Sequence, residues 1–116
     1  MRHKIKKRKF KRRKEARKAL IRGLVCSLIK HEKIKTTKEK AKEICPMTER
    51  LVTKAKKDNP TCKRQIRALL NNKEAYKHLT HDLFKRYIGR QGGYTRIIKI
   101  GKRQGDQAEI VQIELV

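Results

Sequence analysis

Two histidines and a carboxylate lie close enough along the chain to share one side of a helix: His78, His81 and Asp82. Imidazole and carboxylate groups at such spacing are common ligands of zinc. No second cluster completes this one, and exposed histidines beside Lys77 and Lys85 are usually solvated. The pattern therefore favours a solvated helix face over a metal site.

No other pattern points to catalysis. The sequence contains no G-x-S-x-G nucleophile motif, no phosphate-cradling P-loop and no paired carboxylates in an apolar context. Glu32 and Glu39 lie among lysines, and we interpret them as charge partners. We therefore predict that the protein is not an enzyme and has no catalytic residue, no metal ligand and no cofactor.

The three cysteines do not suggest a disulfide framework or a zinc site. Cys26, Cys45 and Cys62 are an odd number without a C-x-x-C pair. Each falls at an apolar position of a helical stripe. We predict that they are reduced, buried small hydrophobic residues of a cytosolic protein.

The charge of the chain points to a polyanionic partner. Lysine and arginine number 35 against 11 Asp and Glu, for a formal net charge of +24. Residues 1–14 contain no acid, and their only apolar residues after Met1 are Ile5 and Phe10. We predict an extended arm here, because like charges repel and only a dense anion such as a phosphate backbone can order it. Its candidate phosphate-binding residues are Arg2, His3, Lys4, Lys6, Lys7, Arg8, Lys9, Lys11, Arg12, Arg13 and Lys14.

Membrane and export functions are disfavoured. No apolar run approaches the length of a membrane span, and no apolar h-region follows the basic start. Organelle transit peptides share an Arg-rich start but are Ser-rich and longer. An interfacial membrane peptide needs an apolar face that Ile5 and Phe10 alone do not supply. We expect no membrane partner and no small-molecule substrate.

After the arm, hydrophobic periodicity predicts one domain over residues 15–116. Apolar residues at helical spacing indicate a first helix over residues 15–31, with Arg17, Lys18 and Arg22 on its opposite, cationic face. A short strand is predicted over 33–36. Thr36 and Glu39 have capping-box spacing and predict a second helix to residue 57, kinked or broken near Cys45 by the proline that follows.

The second half of the chain predicts two more helices and a hairpin. The third helix spans Cys62 to Leu70 with Thr61 as its cap, and Asn72 caps a fourth that ends at Gly89 in a left-handed conformation. Strands follow over 94–100 and 109–116, joined by a basic, glycine-containing loop. The predicted class is α+β: helix, strand, three helices and two strands, with the helices packed on a small, mostly antiparallel sheet.

Two further basic regions join the arm as candidate nucleic-acid contacts. The corner between the first two helices offers cations and two hydroxyls: Lys30, Lys33, Lys35, Thr36, Thr37, Lys38, Lys40 and Lys42. The other region precedes and includes the hairpin: Arg90, Gly92, Gly93, Tyr94, Arg96, Lys102 and Arg103. The paired glycines either allow the backbone to approach a ligand closely or form only a hinge. Tyr94 either stacks on an unpaired base or is a core residue at the start of a strand.

Composition alone does not separate RNA from DNA. An extended arm suits threading between packed RNA helices, where it can order against several strands at once. The alternative is a small architectural DNA-binding protein, which would prefer duplex DNA over structured RNA in competition.

Several blocks of the sequence resemble the bacterial-type large-subunit (50S) ribosomal protein family numbered seventeen. They are Met1-Arg2-His3, Arg17-Lys18-Ala19-Leu20, Ser27-Leu28-Ile29-Lys30-His31-Glu32-Lys33-Ile34-Lys35-Thr36-Thr37, Lys40-Ala41-Lys42-Glu43, Gly92-Gly93-Tyr94-Thr95-Arg96-Ile97, Gly105-Asp106 and Ile113-Glu114-Leu115-Val116. The resemblance spans nearly the whole chain in order. The arm is more uniformly basic than is usual for the family, and Pro46 stands where the family has a polar helical residue.

The resemblance implies the same α+β fold and a structural, non-catalytic role in the ribosome. It implies binding to large-subunit ribosomal RNA on the solvent side, near the mouth of the peptide exit tunnel and beside other ribosomal proteins. We expect a cytoplasmic ribosome, with an organellar one as the alternative. The RNA contacts it implies are Arg2, His3, Arg17, Lys35, Thr36, Thr37, Lys40, Gly92, Gly93, Tyr94 and Arg96.

Overall fold

The α+β prediction is confirmed by a computed structural model, which describes residues 13–116. Its elements are α1 (Lys14–His31), β1 (Lys33–Thr37), α2 (Lys38–Lys57), α3 (Pro60–Leu70), α4 (residues 73–87), β2 (Thr95–Lys102) and β3 (Glu109–Leu115). Within residues 13–116, every helix is too short or too polar to span a bilayer.

Helix α1 is amphipathic, as its periodicity predicts. Its buried side chains are Ile21, Val25, Cys26, Leu28 and Ile29. The helix ends at Glu32, which adopts a left-handed conformation (φ 65°) and donates its backbone N–H to the carbonyl of Leu28. Left-handed backbone is uncommon for a residue with a side chain. This turn starts β1 directly after α1.

Helix α2 is continuous through Pro46, so of the predicted kink or break near Cys45 the break is wrong. A kink there stays a prediction. Pro46 is exposed, and the buried residues on the opposite side lie both before and after it: Ala41, Ile44, Thr48, Leu51, Val52 and Ala55. Tertiary packing of an apolar face dominates helix stability. Lys42, whose carbonyl loses its usual N–H partner at Pro46, is itself an exposed residue.

The capping-box prediction for α2 is also wrong. The residue before the helix is Thr37, not Thr36, and its side chain makes no capping hydrogen bond. Both threonines belong to β1, where they pair with Val111 and Ile110 of β3. Strand pairing therefore fixes the backbone at the point where the box would form.

Asparagine caps begin the next two helices. The Asn59 side chain accepts the N–H of Cys62 at 2.8 Å, so the prediction of Thr61 as the cap of α3 is wrong. Pro60 occupies the first helical turn, where its missing N–H costs nothing. The predicted cap of α4 is confirmed, because Asn72 accepts the N–H of Ala75 at 3.0 Å.

Helix α4 consists of three consecutive segments: α-helical Lys73–Lys77, π-helical His78–Leu83 and α-helical Phe84–Tyr87. Its buried residues Ala75, Leu79, Leu83 and Tyr87 recur at a strict spacing of four. In an α-helix, four residues exceed one turn, so that spacing would rotate the apolar row away from the core. The wider π turn takes up the excess and keeps all four residues on one face.

Gly89 does not end α4 in a left-handed conformation, so that prediction is wrong. Its φ is not positive, and the residue after Tyr87 is still right-handed. The chain turns through a hydrogen bond from the N–H of Arg90 to the carbonyl of Tyr87 (3.0 Å). Positive φ values occur instead at Gly92 (77°) and Gly93 (64°).

The last strand of the sequence is the centre of the sheet. The strand order is β1-β3-β2, and both pairings are antiparallel. Val111, Ile113 and Leu115 of β3 are buried on the helix side, as predicted. β2 is an edge strand with an irregular register between Lys99 and Gly101. The helices cover one face of this sheet, and alternate residues of each strand point to the other face.

The predicted thiol state of the cysteines is confirmed, since Cys26, Cys45 and Cys62 are all free. Cys26 and Cys62 are buried as expected. Cys45 is only half-buried, and its Sγ lies 2.8 Å from the Oγ1 of Thr95. The burial prediction therefore holds for two of the three cysteines.

Candidate nucleic-acid interface

The strand register brings two of the predicted basic regions onto one surface. Lys33 of β1 and Arg96 of β2 both pair with Glu114 of the central strand, from opposite sides. Directly opposed residues in a sheet share a face. The surface remote from the helices, which we call the sheet face, comprises Lys33, Lys35, Thr37, Arg96, Ile98, Ile110, Gln112 and Glu114.

One carboxylate lies in the middle of the sheet face. Arg96 donates from its Nε to the Oε1 of Glu114 at 2.8 Å. This hydrogen bond, with a smaller contribution from the charge of Lys33, lowers the pKa of Glu114 below its ordinary value. Glu114 therefore remains ionised near neutral pH and partly neutralises its two cationic neighbours.

The other cations at this corner differ in how they are paired. Lys38 forms an ion pair with Glu109 (3.4 Å), and Lys30 forms one with Glu74 (3.2 Å). Among residues 13–116, no carboxylate lies within ion-pair distance of Lys33, Lys35 or Lys40. These three ammonium groups are available to an external anion.

The cationic side of α1 is a separate group of cations at the start of the domain. Arg13 and Lys14 are exposed, as are Lys18 and Arg22, and Arg17 is half-buried. The remaining predicted arm residues fall outside the described part of the chain: Arg2, His3, Lys4, Lys6, Lys7, Arg8, Lys9, Lys11 and Arg12.

A shallow cleft of about 270 Å³ lies where α1 meets the turn between α3 and α4. Arg22 and Lys30 line it, together with Ser27 and Asn71. The cleft is therefore polar and cationic, and it extends the charged side of α1 towards the second half of the domain.

The segment from Arg90 to Tyr94 is an exposed loop closed by a buried ring. Tyr94 is only 2% exposed and packs edge-on against Tyr87, with 5.1 Å between ring centroids. Of the two alternatives for Tyr94, the structure therefore has the core residue, because a ring this deeply buried offers no open face to a base. Arg90, Gly92 and Gly93 are exposed around it.

At the tip of the hairpin, Lys102 and Arg103 are both exposed. Arg103 donates from Nε to the Oδ1 of Asp106 at 3.1 Å, and this hydrogen bond lowers the pKa of Asp106 to about 2. Lys102 forms no ion pair with any carboxylate in the described residues. The tip thus offers one free cation and one that already has an internal partner.

The sequence did not reveal a charged cluster that joins α1 to α4, which we call the Glu32 network: Glu32, His78, Asp82 and Arg86. Glu32 accepts hydrogen bonds from Arg86 and from the Nε2 of His78 (3.2 Å). The Nδ1 of His78 lies 2.8 Å from Asp82. Only the His78–Asp82 spacing of four is visible in the sequence, since Glu32 comes from a distant segment.

Hydrogen bonding perturbs the acid–base behaviour of this network. The hydrogen bond from Arg86 is the largest cause of a lowered pKa at Glu32, and the same bond raises the pKa of Arg86. Within the described residues there is no group of three or more His, Cys, Asp or Glu side chains arranged to hold a metal ion. The network links secondary-structure elements through ion pairs.

Comparison with known proteins gives matches over nearly all of the chain. A family model described as "Ribosomal protein L17" matches residues 20–116. The large ribosomal subunit protein bL17 of Rickettsia bellii (strain OSU 85-389) is 49% identical over 116 residues, covering 100% of this chain and 82% of that protein.

Two relatives from other bacteria match at similar levels. The large ribosomal subunit protein bL17 of Hydrogenobaculum sp. (strain Y04AAS1) is 46% identical over 117 residues, covering 100% of this chain and 99% of that protein. Its counterpart in Clostridium perfringens (strain SM101 / Type A) is 43% identical over 109 residues, covering 94% and 96% respectively.

Proposed function

The chain belongs to the ribosomal protein L17 family, and from this premise we propose that it is a structural constituent of the large ribosomal subunit that binds ribosomal RNA. The family is a structural component of the ribosome and not an enzyme. In this role the protein supports subunit assembly and translation by holding neighbouring RNA segments together.

The observation that carries the proposal is the placement of Lys33, Lys35 and Arg96 on one face of the sheet. Two of these cations have no carboxylate partner in the described residues, and the helices cover the opposite face. A sheet surface that carries these cations fits a row of phosphates. Thr37 adds a hydroxyl donor at its edge.

The binding mechanism is electrostatic. Each lysine or arginine placed on a phosphate releases condensed counterions, which makes the affinity strongly dependent on salt. The arm and the cationic side of α1 supply further positive charge for contacts with RNA. The candidate contacts beside the sheet face are Arg17, Lys18, Arg22, Thr36, Lys40, Arg90, Gly92, Gly93, Lys102 and Arg103, together with the basic residues of the arm.

The proposal includes a position in the subunit. We place the protein on the solvent side of a cytoplasmic ribosome, near the mouth of the peptide exit tunnel and in contact with neighbouring ribosomal proteins. The family resemblance supports this position. Cross-linking of the assembled subunit, followed by identification of the linked RNA segments and proteins, tests it.

The proposed function is tested by sedimentation of large subunits from cells that produce the tagged protein. We expect the protein to travel with the large subunit and to remain bound through a high-salt wash. Recovery only in the soluble fraction, or a preference for duplex DNA over ribosomal RNA in competition, would contradict the proposal.

Deletion of residues 1–12 tests the arm separately, because it leaves α1 and the preceding Arg13 in place. We expect weaker binding to ribosomal RNA and a flatter dependence of log affinity on log salt, since each lost phosphate contact removes about 0.9 from the slope for a duplex. An unchanged slope would remove the arm from the mechanism.

A further inference from the structure

A small hydrogen-bonded ring joins the Tyr94 hydroxyl, the Lys56 ammonium group and the carbonyl of Arg90. The Tyr94 hydroxyl donates to the carbonyl of Arg90 at 3.0 Å and lies 2.9 Å from the donating Nζ of Lys56. The backbone N–H of Gly92 also faces this hydroxyl, and its influence is the largest cause of a lowered pKa at Tyr94. A phenolic hydroxyl has one proton and two lone pairs, so the bonds to Arg90 and Lys56 use its proton and one lone pair.

Lys56 directs its charge into the protein. Its ammonium group donates to the carbonyl of Arg90 as well as to the Tyr94 hydroxyl, and it lies 5.2 Å from the centroid of the Tyr94 ring. Lys56 is half-buried near the end of α2, whereas the next residue, Lys57, is exposed. Lys56 thus joins the end of α2 to the loop that precedes β2.

The aromatic ring of Tyr94 is itself held in place by contacts in the core. Tyr87 packs edge-on against it at an interplanar angle of 61°, and the Tyr87 hydroxyl donates to the carbonyl of Val116 at 2.7 Å. The N–H of Val116 in turn donates to the carbonyl of Tyr94 at 2.9 Å. The hydrogen-bonded ring is therefore attached to the buried part of the domain.

The loop between Arg90 and Tyr94 needs this restraint. Gly92 and Gly93 have φ values of 77° and 64°, a region that glycine enters without steric cost. Glycine also has the most conformational freedom to lose on ordering. A loop with two adjacent glycines would sample many conformations unless contacts outside it selected one.

We propose that Lys56 and the Tyr94 hydroxyl are positioning residues that hold residues 90–93 in their RNA-binding conformation before RNA arrives. Lys56 acts on binding through the loop and makes no phosphate contact itself. This inference rests on the proposed function for its RNA part, and on the hydrogen-bonded ring alone for the ordering of the loop.

Four variants of the full chain separate these roles. Lys56→Met removes the ammonium group and keeps an unbranched side chain, and Tyr94→Phe removes the hydroxyl and keeps the packed ring. Lys56→Arg retains donors for both acceptors. Lys57→Met is the matched control, because it removes one exposed charge from the adjacent position of α2 without touching the loop.

Two measurements are made on each variant, after circular dichroism has verified folding. The first is the exchange rate of the Gly92 amide proton in the free protein, followed by NMR. The second is the affinity for a large-subunit ribosomal RNA transcript over a range of salt concentrations.

We expect Lys56→Met and Tyr94→Phe to accelerate exchange of the Gly92 amide proton by about tenfold or more, because each removes hydrogen bonds that close the hydrogen-bonded ring. Their RNA affinity should fall by roughly three- to tenfold while the salt slope stays unchanged. Lys56→Arg should restore most of both values. Lys57→Met should leave Gly92 exchange unchanged.

Unchanged Gly92 exchange in both variants would overturn the positioning role. A salt slope reduced by about 0.9 in Lys56→Met would assign a direct phosphate contact to Lys56 and overturn the inference as well. If the wild-type chain does not bind the transcript, the proposed function fails, and Gly92 exchange still decides whether the ring orders the loop. If Lys56→Met does not fold, Tyr94→Phe decides whether the hydrogen-bonded ring orders the loop and whether that order affects RNA affinity.

Discussion

The sheet face and the Glu32 network contain similar side chains but use them differently. On the sheet face, Lys33 and Lys35 have no carboxylate partner among residues 13–116, and Glu114 is the only acid on that surface. In the network, two carboxylates satisfy the imidazole of His78 and the guanidinium of Arg86. One surface leaves positive charge for an external anion, and the other neutralises its charge internally.

This difference shows that the placement of the few acids decides the role of the many cations. With 35 lysines and arginines and 11 acids, most cations of the chain have no acid to pair with. Where acids gather, as around His78, cations stabilise the fold. Where they are sparse, cations remain free for binding.

The largest expected effect comes from removing free charge on the sheet face. The double substitution Lys33→Gln and Lys35→Gln should lower affinity for ribosomal RNA by roughly 30- to 100-fold at about 0.1 M salt and reduce the salt slope by about 1.8, as expected for two lost phosphate contacts. Filter binding over a salt series measures both. The matched control, Lys77→Gln with Lys85→Gln, removes the same charge from exposed positions of α4. Equal losses in the two double variants would show that total charge matters and placement does not.

A substitution in the Glu32 network should affect stability and not RNA binding. Glu32→Gln weakens the hydrogen bonds with Arg86 and His78, at a cost of about 1 kcal/mol in the free energy of unfolding after allowance for the partial exposure of these groups. Urea denaturation measures this cost. Glu39→Gln, at an exposed position in the first turn of α2, is the control and should cost no more than about 0.5 kcal/mol. A marked loss of RNA affinity in Glu32→Gln would contradict the separation of roles.

The same carboxylate gives the network a pH dependence. Because Arg86 lowers the pKa of Glu32 in the folded protein, the stabilisation is fully present above the ordinary carboxyl value of 4.5 and is lost as the pH falls through the lowered pKa. Thermal melting across the acid range should therefore show wild type losing its advantage over Glu32→Gln below about pH 4.5. A constant difference down to strongly acid pH would exclude this carboxylate as the cause.

The predictions from hydrophobic periodicity and the predictions from single residues had different outcomes for a physical reason. The apolar rows of α1 and β3 depend on spacing along one segment, so the sequence was enough to locate them. The predicted break near Cys45 and the predictions for Thr36 and Gly89 failed because packing and strand pairing in the folded chain override local preferences.

For the candidate site, too, local patterns identified residue types, whereas contacts between distant segments decided their arrangement. The sequence named Lys33, Lys35 and Arg96 as candidate contacts, but their arrangement across Glu114 depends on the pairing of β1 and β2 with β3, which no local pattern encodes. The Glu32 network was missed for the same reason, and Tyr94 was left open between two roles that only its burial separates.

The smallest expected effect comes from removing the carboxylate of the sheet face. Glu114→Gln removes the acid of the sheet face, which frees Arg96 and takes away a negative charge near Lys33. We expect affinity for ribosomal RNA to rise by about two- to fivefold at low salt, with a slope steeper by up to about 0.9. A fall in affinity would mean that Glu114 orients Arg96 for its contact and does not merely neutralise it.

The central position of β3 has a consequence for the order of folding. β1 and β2 pair with β3 and not with each other, so neither strand has a partner until the last strand has been synthesised. Helices depend on nearby residues and form early, whereas pairing between distant segments is slow. A nascent chain can therefore assemble its helices first, and it presents an RNA-competent sheet face only after β3 has been synthesised.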